Sequence, residues 1–403
     1  MLKLALRNVF RQKFRSAMTL AAIVFGVAGL ILSGGFIHDI IVQLGEALIH
    51  SQSGHLQVAR SGYFTYGSRS PGEYLIANAD AVRNELAAMP EVEDVLGRVH
   101  FTGLVNNGRT DWPIVGEGVE PDKEARLSSF MHLVAGRQLK NRDNFGVLIG
   151  QGVAQALKLA PGDRITLLAN TVQGALNSRD LEVVGVFQSF SKDYDARAIR
   201  VPLAAARELL NTNGVNVLVV SLKHTSDTDR AAKQIAASVE KAGLDVRSWV
   251  QLNDFYDKTV ALYEQQFGFL QLIILFMVLL SVTNSVNMSI FERVGEFGTM
   301  LAVGNRTRDV RRLIVTESAL LGLIGGLAGL ALGVLLAVGI STIGIPMPPP
   351  PNANMGYTAF IRIVPGVLAI GFAVGFIATV FASVLPAARV SRMSAADALR
   401  ANV

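Results

Sequence analysis

Residues 16–38 read SAMTLAAIVFGVAGLILSGGFIH, a run without a single Asp, Glu, Lys or Arg. A bilayer hydrocarbon core of roughly 30 Å takes about 20 apolar residues as helix, so this stretch reads as a membrane span. Residues 265–291, 318–361 and 363–388 are three more uncharged runs. The run 318–361 exceeds one span, and the proline-rich residues 346–351 cannot continue a helix, so its spanning part is expected to end near Gly344. A long, mostly polar stretch separates the first run from the second. The expected fold is therefore an α-helical membrane protein with four transmembrane helices, arranged one plus three. A large α+β extracytoplasmic domain of two subdomains fills the gap. That layout excludes a soluble enzyme and a simple channel.

Half of the residues are hydrophobic, 17% are charged and the mean hydropathy is +0.38, values of a membrane protein. A net charge of +5 could suggest nucleic acid, but the basic residues flank the spans instead. Lys3, Arg7, Arg11, Lys13 and Arg15 precede the first run. Arg293, Arg306, Arg308, Arg311 and Arg312 lie between the second and third, and Arg389, Arg392 and Arg400 follow the fourth. Segments rich in Lys and Arg stay cytoplasmic, which puts both termini and the 291–312 loop inside and the large domain outside. The first run is longer than a cleavable signal core and no small-x-small site follows it, so it reads as a retained anchor. There is no cysteine, hence no disulfide and no thiolate metal site.

The expected order is an interfacial helix over 1–15, spans over 16–38, 267–290, 311–344 and 363–386, and stalks over 39–53 and 252–266. A cytoplasmic helix covers 291–309, a proline-rich loop 345–362 and a tail 387–403. Residues 2–13 set Leu2, Leu6, Val9 and Phe10 against Lys3, Arg7 and Arg11, an amphipathic pattern suited to the membrane surface. Gly322, Gly325, Gly326, Gly329 and Gly333 form three overlapping GxxxG steps, with Gly371 and Gly375 in the last span; small residues so spaced let helices approach closely in lipid. Packing within one subunit and a dimer seam are both open. Glu317, about one turn inside the third span and near Arg311 and Arg312, reads as an interfacial ion pair, with ion or proton translocation as the alternative. Asn284 and Asn287 are candidates for interhelical hydrogen bonds.

Outside the membrane, residues 54–251 alternate strand and helix patterns. Strands over 55–59 and 92–105 bracket a helix at 79–89; strands over 215–222 and 244–249 bracket a helix at 227–242. Two such units could form one sandwich, with a β-rich insertion at about 112–210. No HExxH or GxSxG occurs, and nothing completes a metal shell around His38, His50 and His55, which read as solvated or packing histidines. The loop Asp193, Tyr194, Asp195 is a possible contact point for an extracytoplasmic partner, or a plain polar hairpin tip.

Residues 291–304, FERVGEFGTMLAVG, join two spans by a short, charged, helix-compatible loop. Phe297, Met300, Leu301 and Val303 so near a water face suggest docking onto something cytoplasmic. A span at each end means that a push on this loop moves both. The chain has no Gly-Lys dipeptide and so no P-loop; it is expected not to hydrolyse ATP itself.

These features resemble the MacB/FtsX/LolC–LolE superfamily of ABC-transporter permeases. Four stretches carry the resemblance: residues 7–16 (RNVFRQKFRS), 292–304 (ERVGEFGTMLAVG), 317–333 (ESALLGLIGGLAGLALG), and 385–389 (LPAAR) with 397–400 (DALR). It implies a bacterial inner-membrane permease that works by mechanotransmission, in which a separate ATPase moves stalks and outer domains. It also implies that Glu292, Arg293, Glu296, Gly298 and Gly304 sit in the coupling helix, to which the residue reading adds Phe297, Met300 and Leu301. The implied partners are an ABC ATPase dimer, which binds ATP and Mg while this chain carries no cofactor, and a second permease in a homo- or heterodimer. Residues 249–255 and 190–195 resemble the LolC–LolE branch, which implies lipoprotein or a lipid-like molecule as substrate, with a periplasmic carrier. The coupling sequence resembles the MacB type, which implies efflux with an adaptor and outer-membrane channel. An FtsX-like scaffold that activates a cell-wall hydrolase is the third possibility.

Overall fold

The computed structural model describes residue 7, residues 13–349 and residues 356–390. The interfacial helix expected at the N-terminus lies almost wholly outside these residues, as do the DALR motif and part of the proline-rich loop.

Four described helices are long and apolar enough to cross a membrane. Helix α1 spans Lys13–Leu48, α2 Asp254–Glu292, a short α3 Val294–Ala302, α4 Thr307–Ile343 and α5 Pro365–Val390. At 1.5 Å per residue, α1 and α2 are each more than about 50 Å long, well beyond the roughly 30 Å hydrocarbon core. Span and stalk are one continuous helix on each side. Gly344, at φ 74°, ends α4 immediately before Ile345-Pro346.

The chain divides into two compact units, one of membrane helices and one spanning Gln43–Lys258 with Met347–Tyr357. In the helical unit, Ile23, Val27 and Ile31 of α1 join Val278, Val282 and Val286 of α2 in one core, with Val310, Leu313 and Ile314 of α4 and Ala378 and Ala382 of α5.

The second unit holds strands β1 (Leu56–Arg60), β2 (Val92–Asn106), β3 (Asp111–Val119), β4 (His132–Gly136), β5 (Gly146–Gly150), β6 (Arg164–Asn170), β7 (Leu176–Gln188), β8 (Ala198–Pro202), β9 (Val217–Leu222) and β10 (Leu244–Ser248). Four of them form an antiparallel sheet in the order β10-β1-β9-β2. The helices Ala79–Ala87 and Thr228–Val239 connect its strands and contribute Leu86 and Ile235 to its core. This is the split β-α-β arrangement, with an insertion between its second and third strands. The inserted strands pair around a ring, β2-β3-β8-β5-β7-β6 and back to β2, so they close into a barrel without a free edge on that path. Strand β2 belongs to both: residues 92–98 pair with β9 and residues 99–106 with β3. The insertion therefore begins inside β2, earlier than the expected 112.

Candidate functional site

Helix α3 is a nine-residue crosspiece held between two membrane helices. Arg293, immediately before it, organises the joint: its Nε donates to Glu296 at 2.9 Å and its Nη1 to Glu317 of α4 at 2.8 Å. The guanidinium also lies 5.1 Å from the centre of the Phe297 ring, and the Phe297 amide donates to the Arg293 carbonyl at 3.0 Å. Arg293 is 8% exposed, so these partners offset the cost of removing its charge from water. The far end of the crosspiece is closed by Gly304 at φ 98°, and Asp309 caps α4 by accepting from the Arg306 amide at 3.1 Å. The helix is accordingly shorter than the expected 291–309.

Two sequence expectations change here. Glu317 pairs with Arg293 across two helices rather than with its neighbours Arg311 and Arg312, whose side chains are exposed. Phe297 is only 2% exposed and packs inward with the helical core, Met300 and Leu301 being half-buried against it. The outward apolar residues are Phe291 and Val303, 75% and 81% exposed at the two ends of the crosspiece. Glu292 and Glu296 are exposed between them, while Gly298 is buried.

The α4 glycines serve two faces. Ideal Cβ atoms on Gly325, Gly329 and Gly333 would stand 2.7–2.9 Å from Ile23, Val27 and Ile31 of α1. Those on Gly322 and Gly326 would meet Thr379 and Phe372 of α5 at 3.1 and 2.9 Å. The ridge thus packs within one chain. The hydrogen bonds expected of Asn284 and Asn287 are made by their neighbours: Ser285 bonds Thr19, and Thr283 donates to the Ala382 carbonyl at 3.5 Å. Asn284 faces outward and Asn287 is half-buried. Asp39 of α1, which the sequence reading passed over, is fully buried and accepts from the Phe360 amide and from Arg362 Nε, both at 2.7 Å.

In the second unit the candidate loop 193–195 turns largely inward. Asp195, 1% exposed, accepts the Ser189 amide at 3.0 Å, and Tyr194 packs 6.1 Å from Phe187; Asp193 is the outward member. His55 accepts the Leu222 amide at its Nδ1 (3.1 Å), with Nε2 3.2 Å from Thr225 Oγ1; burial, with His50 nearby, pulls its imidazole down to about 4. No group of metal-ligating residues occurs among the described residues.

Sequence reasoning missed a buried ionic cluster at the seam of sheet and barrel. Arg98 of β2 grips Glu124 with two bonds, Nε at 3.1 Å and Nη2 at 2.7 Å. Arg200 of β8 stands opposite Glu117 of β3 in register and donates to it from Nε at 3.0 Å, with Nη1 3.1 Å from Ser128 Oγ and 3.2 Å from Glu124. Burial works to raise the Glu117 carboxyl, but Arg200 and Arg98 outweigh it and hold it at about 2; Glu124 is lowered for the same reason. The available signal was a charge in the middle of an apolar strand, as in Ala198-Ile199-Arg200-Val201.

Residues 16–238 match the MacB-like periplasmic core domain, and residues 268–395 match the FtsX-like permease C-terminal. An uncharacterized ABC transporter permease of Methanocaldococcus jannaschii is 24% identical over 98% of this chain and 96% of its own. The lipoprotein-releasing system transmembrane protein LolC of Neisseria meningitidis is 22% identical over 98% of this chain and 95% of its own. The macrolide export ATP-binding/permease protein MacB of Hyphomonas neptunium is 25% identical over 98% of this chain, which spans 60% of that relative's length.

Proposed function

This chain belongs to the family of ABC-transporter permeases that join a MacB-like periplasmic core domain to an FtsX-like C-terminal, and from that premise we propose that α3 is the contact through which a separate ATPase drives it. The observation that carries the reading is the Arg293 joint. One guanidinium ties the crosspiece to α4 through Glu317 and to its own first turn through Glu296, so displacement of α3 is passed on to α4 rather than absorbed by a loose loop. Phe291 and Val303 offer apolar contacts at its two ends, with the carboxylates of Glu292 and Glu296 between them. The basic residues around this loop support a cytoplasmic position for it, where ATP is available. Helices α1 and α2, each longer than the bilayer is thick, then serve as levers to the extracytoplasmic domain.

The substrate reading is a lipoprotein or lipid-like molecule lifted from the outer leaflet, and the end-to-end match to LolC supports it. The match to MacB over 98% of this chain favours a second reading, efflux with an adaptor and channel. Affinity purification from native membranes after mild crosslinking, with partners identified by mass spectrometry, tests both. An ABC ATPase with lipoproteins or a soluble carrier is the expected result. An ATPase with an adaptor and outer-membrane channel would replace extraction by efflux, and a cell-wall hydrolase would replace both by signalling. Recovery of no ATPase, under conditions that preserve other ABC complexes, would overturn the coupling function.

A further inference from the structure

Below α1 the chain widens into one π-helical turn, Ile49–Ser53, closed by the Gly54 amide on the Ile49 carbonyl at 3.0 Å. The last carbonyls of a helix have no partner within it and carry partial negative charge. Here two of them are taken by the buried arginines. Arg200 Nη2 donates to the Ser51 carbonyl at 3.2 Å, and Arg98 Nη1 donates to the Gln52 carbonyl.

The two arginines stand on different halves of the extracytoplasmic domain. Arg98 is the last β2 residue paired with the sheet, opposite Val217, and the next residue, Val99, is the first paired with the barrel, opposite Gly118. Arg200 lies in the barrel wall. Glu124 is within 3.2 Å of both guanidinium groups, so the halves share one carboxylate at the point where they hold the helix end. Two arginines and two glutamates balance, which makes the burial of all four tolerable. The grip is on backbone: a side-chain contact can slip by a rotamer change, whereas a carbonyl moves only with its helix.

We infer that Arg98 and Arg200 are positioning residues that carry displacement of the first helix into the sheet and the barrel together, through the Ser51 and Gln52 carbonyls. This rests on the coupling function proposed above. A domain fastened to the helix through exposed loops would lag behind it, while one held at its own internal seam follows it in both halves.

The test is amide hydrogen exchange on the full-length chain, purified with its ATPase from native membranes, without nucleotide and trapped with ATP and vanadate. Trapping should change exchange by about tenfold in residues 49–54 and, in step, in residues 92–101 and 197–202, the scale set by charge-assisted bonds made or broken. Arg98→Lys and Arg200→Lys keep the charge beside Glu124 and Glu117 but lack the second arm that reaches the carbonyls. In these variants residues 49–54 should still respond to trapping while the two strand segments no longer do, over and above any rise in nucleotide-free exchange caused by the lost bonds to Glu124 and Glu117. A purely structural role predicts raised exchange without nucleotide but an intact response of the strand segments to trapping, and that result would overturn the inference. So would a wild-type response confined to residues 49–54, a comparison that decides the matter even if the lysine variants do not assemble. If nothing responds in the wild type, residues 294–302 included, the coupling function fails and the inference with it.

Discussion

A Cβ placed on Gly329 would stand 2.7 Å from the Cβ of Val27, closer than two unbonded carbons can come. Helices α4 and α1 therefore touch backbone to side chain, as lipid-embedded helices must when no hydrophobic gain separates helix from lipid. Gly329→Ala is expected to cost about 1–3 kcal/mol by overpacking, and Gly329→Leu to prevent assembly. Gly339, with open space around its Cβ position, serves as control: Gly339→Ala should be neutral or stabilising by up to about 1 kcal/mol. Thermal melting of the detergent-solubilised chain measures all three, and a Gly329→Leu variant that melts like the wild type would show that the helices do not need this approach.

Glu296→Lys separates coupling from folding. Its side chain is 42% exposed but its partner Arg293 is nearly buried, so the lost pair should cost about 1–3 kcal/mol, which a melt of the same variant measures apart from coupling. The reversed charge lies on the face proposed to meet the ATPase, and ATP-dependent function of the complex should fall at least about tenfold, as a change of 1.4 kcal/mol in contact energy would give. Normal function together with normal ATPase recovery would remove this residue from the contact.

Glu317→Gln addresses the joint itself. The variant leaves Arg293, nearly buried, with a single carboxylate, and should destabilise the helical unit by about 1–3 kcal/mol. The double variant Arg293→Met, Glu317→Gln should recover part of that loss, because no buried charge is then left uncompensated. A melting temperature of Glu317→Gln equal to that of wild type would mean that the pair is not a joint.

Acid should weaken the extracytoplasmic domain in two stages. His55 has an ordinary value of 6.5 and is held at about 4 in the fold, so the unfolded chain takes up a proton first and stability falls as pH drops from 6.5 to 4. Glu117 and Glu124 have depressed values, so their contribution is complete above 4.5 and is lost only as pH falls further, toward about 2 for Glu117. Urea titrations between pH 7.5 and 4 should show the first stage, and His55→Asn, whose side-chain oxygen can still accept the Leu222 amide, should reduce it, the remainder coming from His100, which burial also lowers. An unchanged slope in that variant assigns the effect to another group.

Asp39→Asn tests a bond that the apolar pattern hid. Asp39 accepts two donors, Phe360 N and Arg362 Nε, so the neutral variant should lose about 1–3 kcal/mol and loosen the start of the last span. Proteolysis at residues 356–364 in membrane vesicles reads this directly, and cleavage no faster than in wild type would count against it.

Much of the fold was legible in the chain. The four spans announce themselves by length and absence of charge, and the strand alternation of residues 55–59, 92–105 and 215–222 was enough for the split sheet. The site was legible in location but not in orientation. Phe297 was expected on a water face because it neighbours charged residues, yet nine residues of helix turn it inward and leave Phe291 and Val303 outside. Asn284 attracted notice as a polar residue in a span, while the contacts fell to Ser285 and Thr283, because helix rotation decides which polar group meets a neighbour. The barrel closure escaped because one strand, β2, belongs to two sheets, and nothing in its alternation marks the change at Arg98 and Val99.

By itself, then, the sequence determined the architecture: spans, the large domain between them, the crosspiece loop and the glycine ridge. These follow from local rules, the apolar length a bilayer demands and the period of helix or strand. Only the tertiary structure decided which charges meet. Arg293 finds Glu317 across 24 positions and Arg200 finds Glu117 across 83, and each pair depends on how helices are rotated or strands are registered. Such pairing leaves no periodic trace in the chain, because its energy comes from contacts that exist only once distant segments have been brought together.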